Sequence, residues 1–310
     1  MAEQTAGRLS PLDRHDARSD TRSGTGHPPR HRPLPLAGGI GLALVLLLIA
    51  VALLGPFLID TDPAHQDLHG RLTPPVWAGG PRAHLLGTDQ LGRDVLARVV
   101  RGARVSLAIG ITATLLAGTI GVALGLIAGY AGGIADRLIS FAIDVQQAVP
   151  FVVVAIGVVA VLGPSLRNVV TILAAVSWVA YARIVRLQAM ALRRAAFVEA
   201  ARAIGVGPHR MVVRHILPNV AGPTIVIASQ QVAAMILYEA ALSYLGLGAP
   251  DGTITWGGMV AGGRETMTTA WWVAALPGIA IALTVLGFNL LGDWLRDALD
   301  PATKGGRRRN

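Results

Sequence analysis

The 310-residue sequence contains no cysteine, a single lysine (Lys304) and only 15% charged residues. Without cysteine there are no disulfides, no thiolate nucleophile and no cysteine-ligated metal or iron–sulfur site. A soluble domain carries about 25% charged residues, so the low charge excludes an ordinary soluble enzyme. Because 53% of the residues are hydrophobic, the composition predicts a polytopic membrane protein.

Charge is missing from a few long stretches of the chain. A helix that spans a bilayer needs about 20 predominantly apolar residues. A stretch of 15 residues, 168–182, becomes long enough if its helix continues through Arg183 and Arg186, whose side chains can reach the headgroups. We therefore predict an all-α integral membrane fold with six transmembrane helices. The five longer stretches are residues 33–59, 105–135, 145–166, 215–238 and 266–292.

The basic residues flank these stretches and indicate an orientation. Of the 27 basic residues, 19 lie in the chain ends (1–35 and 293–310), the link near Arg137 and the segment 183–215. Because basic residues are in excess on the cytoplasmic side, we predict that both termini are cytoplasmic. No basic element rich in aromatic residues is present, which argues against nucleic-acid binding.

These patterns divide the chain into five predicted parts. The first part, residues 1–35, is too polar to bury a core, so it is expected to be disordered. Tryptophans near the two ends of the last span (Trp256, Trp271, Trp272 and Trp294) are typical of an interfacial aromatic belt, with ordinary buried tryptophans as the alternative. The parts are a cytoplasmic tail (1–35), a first transmembrane helix (36–59), an extracytoplasmic segment ending in an amphipathic interfacial helix (60–104), a five-helix core (105–293) and a cytoplasmic tail (294–310).

The second predicted span carries a small residue at every fourth position. Ala117, Gly121, Gly125 and Gly129 fall on one helical face, where small side chains allow a neighbouring helix to approach closely. The pattern therefore predicts a helix-packing surface. The alternative is that glycine is simply frequent in membrane spans.

Two carboxylates lie within or beside predicted spans, where an ionisable residue suggests function. Asp144 lies seven residues beyond Arg137 in the third span. It either faces the translocation path or forms a structural ion pair. Glu239, at the outer end of the fifth span, either lines a substrate vestibule or is an exposed interfacial carboxylate.

The segment 193–220 is too polar for a span and too regular for a loop. Its first half predicts a short helix with Phe197, Ala200, Ala201 and Ile204 on one face. Gly205, Gly207 and Pro208 then end this helix. Met211, Val212, Ile216 and Leu217 predict a second short amphipathic helix, and Pro218 precedes the fifth span. We interpret the segment as a docking element for a partner.

This segment resembles a known motif. Glu199-Ala200-Ala201, Gly205 and Leu217-Pro218 are similar to the EAA motif of ATP-binding-cassette (ABC) importer permeases. The general motif has Ile ten residues after its glycine; here His215 stands there, beside Ile216, as in the dipeptide/oligopeptide/nickel branch. Four further ordered blocks resemble the C-type half of that branch, at residues 84–94, 130–150, 239–248 and 289–301.

The resemblance implies a type I ABC importer transmembrane domain in the bacterial cytoplasmic membrane. Residues 198–205 would form the coupling helix, which meets the ATPase. The implied partners are a second permease subunit, two nucleotide-binding domains that carry ATP and magnesium, an extracytoplasmic solute-binding protein and membrane lipid. Peptides are the favoured substrates; nickel, glutathione or another small solute are alternatives.

The chain lacks the motifs of an enzyme. A P-loop needs lysine followed by Ser or Thr, but Lys304 is followed by Gly305, so ATP hydrolysis must take place on another subunit. The H-E-x-x-H and G-x-S-x-G motifs are also absent. His65 and His69 have helical ligand spacing, but a solvated loop is favoured over a metal site. We therefore expect no catalytic residue, metal or cofactor in this chain; an ATP-independent channel or secondary transporter is the more distant alternative, and a membrane-embedded enzyme is a third.

Overall fold

The computed structural model describes residues 35–59, 61–250 and 252–299. The predicted amino-terminal tail, except for residue 35, and residues 300–310 of the predicted carboxyl-terminal tail therefore lie outside the described residues. Within the described ranges, regular structure is helical apart from one isolated bridge between Thr88 and Asp94. The helices are α1 (Pro35–Leu58), α2 (Val95–Ala131), α3 (Gly133–Ala148), α4 (Phe151–Leu162), α5 (Leu166–Arg193), α6 (Ala196–Ala203), α7 (Pro208–Met211), α8 (Leu217–Tyr244), α9 (Trp256–Gly263) and α10 (Trp272–Leu299).

The prediction of an all-α membrane fold is confirmed. Among the described residues, five helical segments are long and apolar enough to cross a bilayer, namely α1, α2, α5, α7 with α8, and α10. The helix α5 includes Arg183 and Arg186, as the sequence predicted for the fourth span. The pair α3 and α4 passes the same test of length and apolarity only when taken together, and it makes a sixth crossing if the two helices form one broken span.

The third predicted span is not one continuous helix. Helices α3 and α4 meet at an angle of 88° across Val149 and Pro150. Proline has no N–H to donate, and it disfavours the helical conformation of the residue before it. Val149 accordingly adopts an extended conformation and ends α3. The third span is therefore broken close to Asp144.

The interfacial helix predicted before the second span is not a separate element. The carboxylate of Asp94 accepts a hydrogen bond from the Ala97 backbone N–H and caps a helix that begins at Val95. This helix then continues without a break for 37 residues. The amphipathic residues are therefore the first turns of α2. At the other end of the chain, α10 continues to Leu299, past the predicted boundary at 293.

The core is built around α2, which contacts α1, α5 and α8. The helix α1 packs on α10 through small residues: Gly41 approaches Leu290 and Leu291, and Gly287 approaches Leu44. The short helix α9 lies between α8 and α10. The short helix α6 follows the end of α5 and contacts mainly α5 and α7, so one of its sides is left open.

The tryptophans divide into two kinds. Trp256 and Trp272 are buried, and each donates its indole N–H to a backbone carbonyl, at 2.8 and 3.1 Å. These two match the alternative of ordinary buried tryptophans, because the indole N–H finds its acceptor inside the fold. Trp271 and Trp294 are exposed on the isolated chain.

Candidate functional site

The helix α6 presents an apolar face that nothing in the described chain covers. Phe197 is 46% exposed and Ile204 is 83% exposed. Ala200, between them on the same helical face, is also exposed, and so is Glu199. We call Phe197, Ala200 and Ile204 the α6 face. Exposed apolar side chains in register on a short helix are typical of a surface that binds another protein.

The opposite side of α6 fixes the helix to the bundle. Val198 is fully buried and Ala201 is nearly so. The sequence placed Ala201 on the same face as Phe197 and Ile204, and this assignment was wrong. Ala201 lies three residues after Val198, so the two share the inward side of the helix. Amphipathicity alone did not reveal which apolar face is covered by the same chain.

Gly205 ends α6 in a left-handed conformation. Its φ angle is +85°, and an added Cβ would meet no atom within 4 Å. The Gly205 N–H donates to the Arg202 carbonyl at 3.0 Å, and the Val206 N–H donates to the Ala201 carbonyl at 3.1 Å. These two bonds form a Schellman motif with Gly205 at the C′ position. Glycine is favoured here by its backbone conformation and not by lack of space.

The second short helix predicted in the segment joins the fifth span. A π-helical turn (Val212–Ile216) links α7 directly to α8, and Pro218 lies in the first turn of α8. Proline cannot donate to the carbonyl four residues earlier and crowds it. The chain instead forms a wider turn, in which the Leu217 N–H bonds to the Val212 carbonyl. Pro218, which the sequence predicted to lie just before the fifth span, therefore lies within one continuous helical segment, Pro208–Tyr244.

A buried cluster connects α6 to three long helices. Because interiors are close-packed, a displacement of α6 would press on α2, α5 and α8 together. Leu217 is half-buried and packs against the edge of this buried cluster. We call this set the anchor cluster; its buried members are Leu126 on α2, Val185 and Ala189 on α5, Val198 and Ala201 on α6, Met211 on α7, Ile216 in the π-helical turn and Val220 on α8.

Asp144 lies on α3, one turn before the bend, and its side chain is exposed. Within the described residues it forms no ion pair, although its charge acts electrostatically on Arg186. The direct partner of Arg186 is Asp136, through Nε–Oδ1 (2.5 Å) and Nη2–Oδ2 (3.0 Å) contacts. This bidentate pair joins α3 to α5. The sequence did not reveal it, because the two residues are 50 positions apart.

Glu239 is inside the bundle, with 1% of its surface exposed. Its Oε1 accepts a hydrogen bond of 2.8 Å from Ser243 Oγ, one turn later on α8. Its Oε2 faces Gly257 of α9, where a side chain would also strike the Ala240 backbone. Neither an open vestibule nor an exposed interfacial carboxylate describes this position. The side chain lies between α8 and α9 because Gly257 allows the helices to approach closely.

The small residues of α2 lie against α5. Ala117 is buried beside Ala174 and Tyr181. A Cβ added to Gly125 would lie 2.7 Å from the Ala182 carbonyl oxygen, and similar approaches occur at Gly121 and Gly129. Because backbone atoms of α5 occupy the space, larger side chains would separate the helices.

The block 84–94 forms a compact structure, which we call the clasp. Asp89 is buried and accepts from the Leu91 and Arg93 backbone N–H groups and from Arg93 Nε, at 2.7–3.0 Å. Its Oδ2 also lies 3.5 Å from Arg98 Nε on α2. Asp94 Oδ2 lies 2.9 Å from His84 Nδ1. The clasp thus ties the segment before α2 to the start of that helix.

The clasp also contacts two helices from the later part of the sequence, α9 and α10. Gln90 Nε2 donates to the Gly262 carbonyl of α9 at 2.6 Å. Trp272, at the start of α10, donates to the Thr88 carbonyl. The block resembles the family's signature, and its buried carboxylates have a structural role in this fold. Among the described residues there is no group of three His, Cys, Asp or Glu side chains that could hold a metal ion.

Comparison with known proteins gives a consistent result. The family described as "Binding-protein-dependent transport system inner membrane component" matches residues 121–305. The di/tripeptide transport system permease protein DppC of Pseudomonas aeruginosa is 43% identical over 265 residues, which cover 85% of this chain and 88% of that protein. The glutathione transport system permease protein GsiD of Pectobacterium atrosepticum is 44% identical over 260 residues, which cover 84% and 85%.

Solved structures support the same fold. A structure of the MetNI methionine ABC transporter, in an inward-facing conformation, matches with a TM-score of 0.52 at 19% identity. The match covers 65% of this chain and 96% of that chain. It confirms the predicted fold of a type I ABC importer transmembrane domain. This chain therefore belongs to the family of inner-membrane components of binding-protein-dependent transport systems, and within it to the peptide branch of ABC importer permeases.

Proposed function

We propose that this chain is one of two permease subunits of an ATP-driven importer that carries di- and oligopeptides across the bacterial cytoplasmic membrane. The di/tripeptide and dipeptide permeases among its relatives support a peptide substrate. Glutathione, itself a small peptide, is the second candidate, supported by the glutathione permease relative. Nickel or another small solute remains the alternative carried over from the sequence resemblance.

ATP would be hydrolysed by two separate nucleotide-binding domains that carry the magnesium. The observation that carries this proposal is the exposed α6 face, since Phe197 and Ile204 have no covering partner in the described chain. Glu199 lies beside that face, and the Schellman motif at Gly205 fixes where the helix ends. We assign the coupling role to Glu199, Ala200 and Ala201 on α6, to Gly205 directly after it, and to Leu217 and Pro218 where α8 begins.

Transmission would pass through the anchor cluster. Val198 and Ala201 belong to α6 and pack with residues of α2, α5 and α8. A movement imposed on α6 by the ATPase would therefore tilt three spans together. Because the packed α2–α5 contact includes backbone atoms at Gly125, these two helices would move as one body.

The proposed orientation places α6 and both termini in the cytoplasm. Its support is the excess of basic residues on that side. The segment 61–94 then faces the extracytoplasmic solute-binding protein, and it carries exposed apolar side chains at Leu68, Trp77 and Leu85. Asp144, exposed beside the bend in the third span, is assigned to the pathway shared with the second permease.

The test is a pair of charges on the α6 face. Phe197→Asp with Ile204→Asp should leave membrane insertion unchanged and lower co-purification of the ATPase at least about tenfold, because losing a central hot-spot residue costs about 2 kcal/mol or more and about 1.4 kcal/mol is already tenfold. Uptake of a labelled dipeptide should fall in parallel. Excess unlabelled glutathione or Ni²⁺, added to the same uptake assay, shows which class of substrate competes with the labelled dipeptide.

The matched control is Leu68→Asp with Leu85→Asp, which places the same charges on exposed leucines of the opposite side. This variant should retain the ATPase. Equal ATPase recovery from the two double variants would refute the assignment of α6. Dipeptide uptake by the chain alone, without an ATPase, would favour a channel or secondary transporter instead.

A further inference from the structure

A groove of about 650 Å³ lies between the first half of α2 and the start of α5. Three arginines line it: Arg101 and Arg104 from α2, and Arg167 from α5. Its walls between the two helices include apolar side chains such as Ile109, Leu116 and Val170. The groove therefore combines three cationic side chains with an open, mainly apolar channel between the two helices.

The three arginines differ from others in the same fold. Arg93, Arg98 and Arg186 each lie beside a carboxylate of this chain. Within the described part of the chain, Arg101, Arg104 and Arg167 have no carboxylate partner, and all three are exposed. A guanidinium is always charged and cannot be neutralised by losing a proton. Three such groups clustered at the edge of an apolar groove form a surface that favours an anionic ligand.

The length of the groove indicates what that ligand is. From Arg104 to Leu116 is 12 residues of α2, or about 18 Å at 1.5 Å per residue. One leaflet of the hydrocarbon core is about 15 Å thick, half of the usual ~30 Å. An acyl chain whose headgroup lies at the arginines would therefore reach the Leu116 end of the groove.

Of the two threonines that line the groove, Thr171 does not oppose an acyl chain. The Thr171 hydroxyl donates to the Arg167 carbonyl at 2.8 Å within its own helix. It is therefore satisfied without a ligand. A free phosphate or a peptide carboxylate would match the arginines but would leave the apolar channel unfilled. The arginines and the channel together fit an amphipathic anion.

We propose that this groove binds one anionic phospholipid. Its phosphate accepts hydrogen bonds from Arg101, Arg104 and Arg167, and an acyl chain lies between α2 and α5. The leaflet is the one at the Val95 end of α2, the outer leaflet in the orientation proposed above. Because the site joins α2 to α5, the lipid also stabilises the helix pair that the coupling movement would use.

The experiment uses the assembled transporter, purified in a neutral detergent and mixed with phosphatidylglycerol or with phosphatidylcholine. Native mass spectrometry counts the lipids that each complex retains. Replacing Arg101, Arg104 and Arg167 by Gln should weaken phosphatidylglycerol retention about fivefold for each arginine removed, which corresponds to about 1 kcal/mol per basic residue. The single variants should show graded losses, which keeps the test valid if the triple variant does not assemble.

The matched control replaces Arg71, Arg82 and Arg264, exposed arginines away from the groove, by Gln. It changes the net charge equally and should retain the phospholipid. Equal loss in both triple variants, equal retention of phosphatidylcholine, or displacement of the phospholipid by inorganic phosphate would each overturn the proposal.

A cysteine substitution tests a competing occupant. The chain has no cysteine, so Leu116→Cys carries one unique thiol. We expect this thiol to react with a maleimide attached to a phospholipid acyl chain. A cross-link from the thiol of the Leu116→Cys variant to the second permease would show that a protein covers the groove, and would overturn the proposal.

Discussion

Gly205→Val is expected to lower peptide uptake roughly 5- to 30-fold while the chain still inserts into the membrane. Gly205 has a φ angle of +85°, and a left-handed conformation costs a residue with a Cβ about 1–2 kcal/mol. A β-branched side chain raises this strain further. The strain is relieved if the chain leaves that conformation, which breaks the Schellman bonds and redirects the end of α6. ATPase activity and uptake, measured in reconstituted vesicles, should become uncoupled.

Gly207→Val is the matched control for this prediction. Gly207 lies two residues away, is equally exposed and has no atom within 4 Å of an added Cβ. Its φ angle is −65°, which any residue can adopt. Uptake should therefore be close to that of the unchanged chain. If Gly205→Val transported as well as Gly207→Val, the end of α6 would have no part in coupling.

Gly125→Ala is expected to destabilise the helix bundle by about 1–3 kcal/mol, the usual cost of an overpacked contact. The new methyl group would lie 2.7 Å from the Ala182 carbonyl oxygen and 2.9 Å from Val185 Cβ. Because a carbonyl in a helix cannot rotate away, α2 and α5 must separate. Gly125→Leu should prevent accumulation of the folded chain. Thermal unfolding in detergent measures the first variant, and membrane protein yield measures the second.

Gly118→Ala provides the comparison within the same helix. The nearest atom to its added Cβ is in the Tyr181 ring, at 3.4 Å, which is ordinary contact. Alanine also has a helix propensity about 1 kcal/mol better than glycine. This variant should be neutral or slightly stabilising. A Gly125→Ala protein that is as stable as Gly118→Ala would show that the small-residue face does not determine the α2–α5 distance.

The sequence predicted the membrane spans well because their signal is local. An uncharged stretch of sufficient length must be helical in a bilayer, and α1, α2, α8 and α10 include most of the stretches identified on that basis. The extension of α5 through Arg183 and Arg186 also followed from length alone. Pro150 marks the bend in the sequence, but the length of the apolar stretch predicts a single span and gives no angle between α3 and α4.

The sites were less predictable because their contacts join distant residues. Asp136 pairs with Arg186, and Gln90 reaches Gly262, over 50 and 172 positions. Similarly, the burial of Glu239 depends on Gly257 in another helix. Amphipathicity identified α6 but assigned Ala201 to the wrong face, since both sides of that helix carry apolar residues and only the fold decides which is covered.

The central claim, that α6 is the contact with an ATPase, is tested most directly by a cross-link. Ile204→Cys introduces a single thiol at the most exposed apolar position of the α6 face, in a chain that has no other cysteine. A thiol-to-amine cross-linker should join it to the co-purified ATPase subunit, and a membrane-impermeant thiol reagent added outside intact cells should not label it. The thiol of the Leu85→Cys variant should be labelled by the reagent added outside and should not be cross-linked to the ATPase subunit. Labelling of the Ile204→Cys variant from outside the cell, or no cross-link to the ATPase in an active complex, would contradict the account.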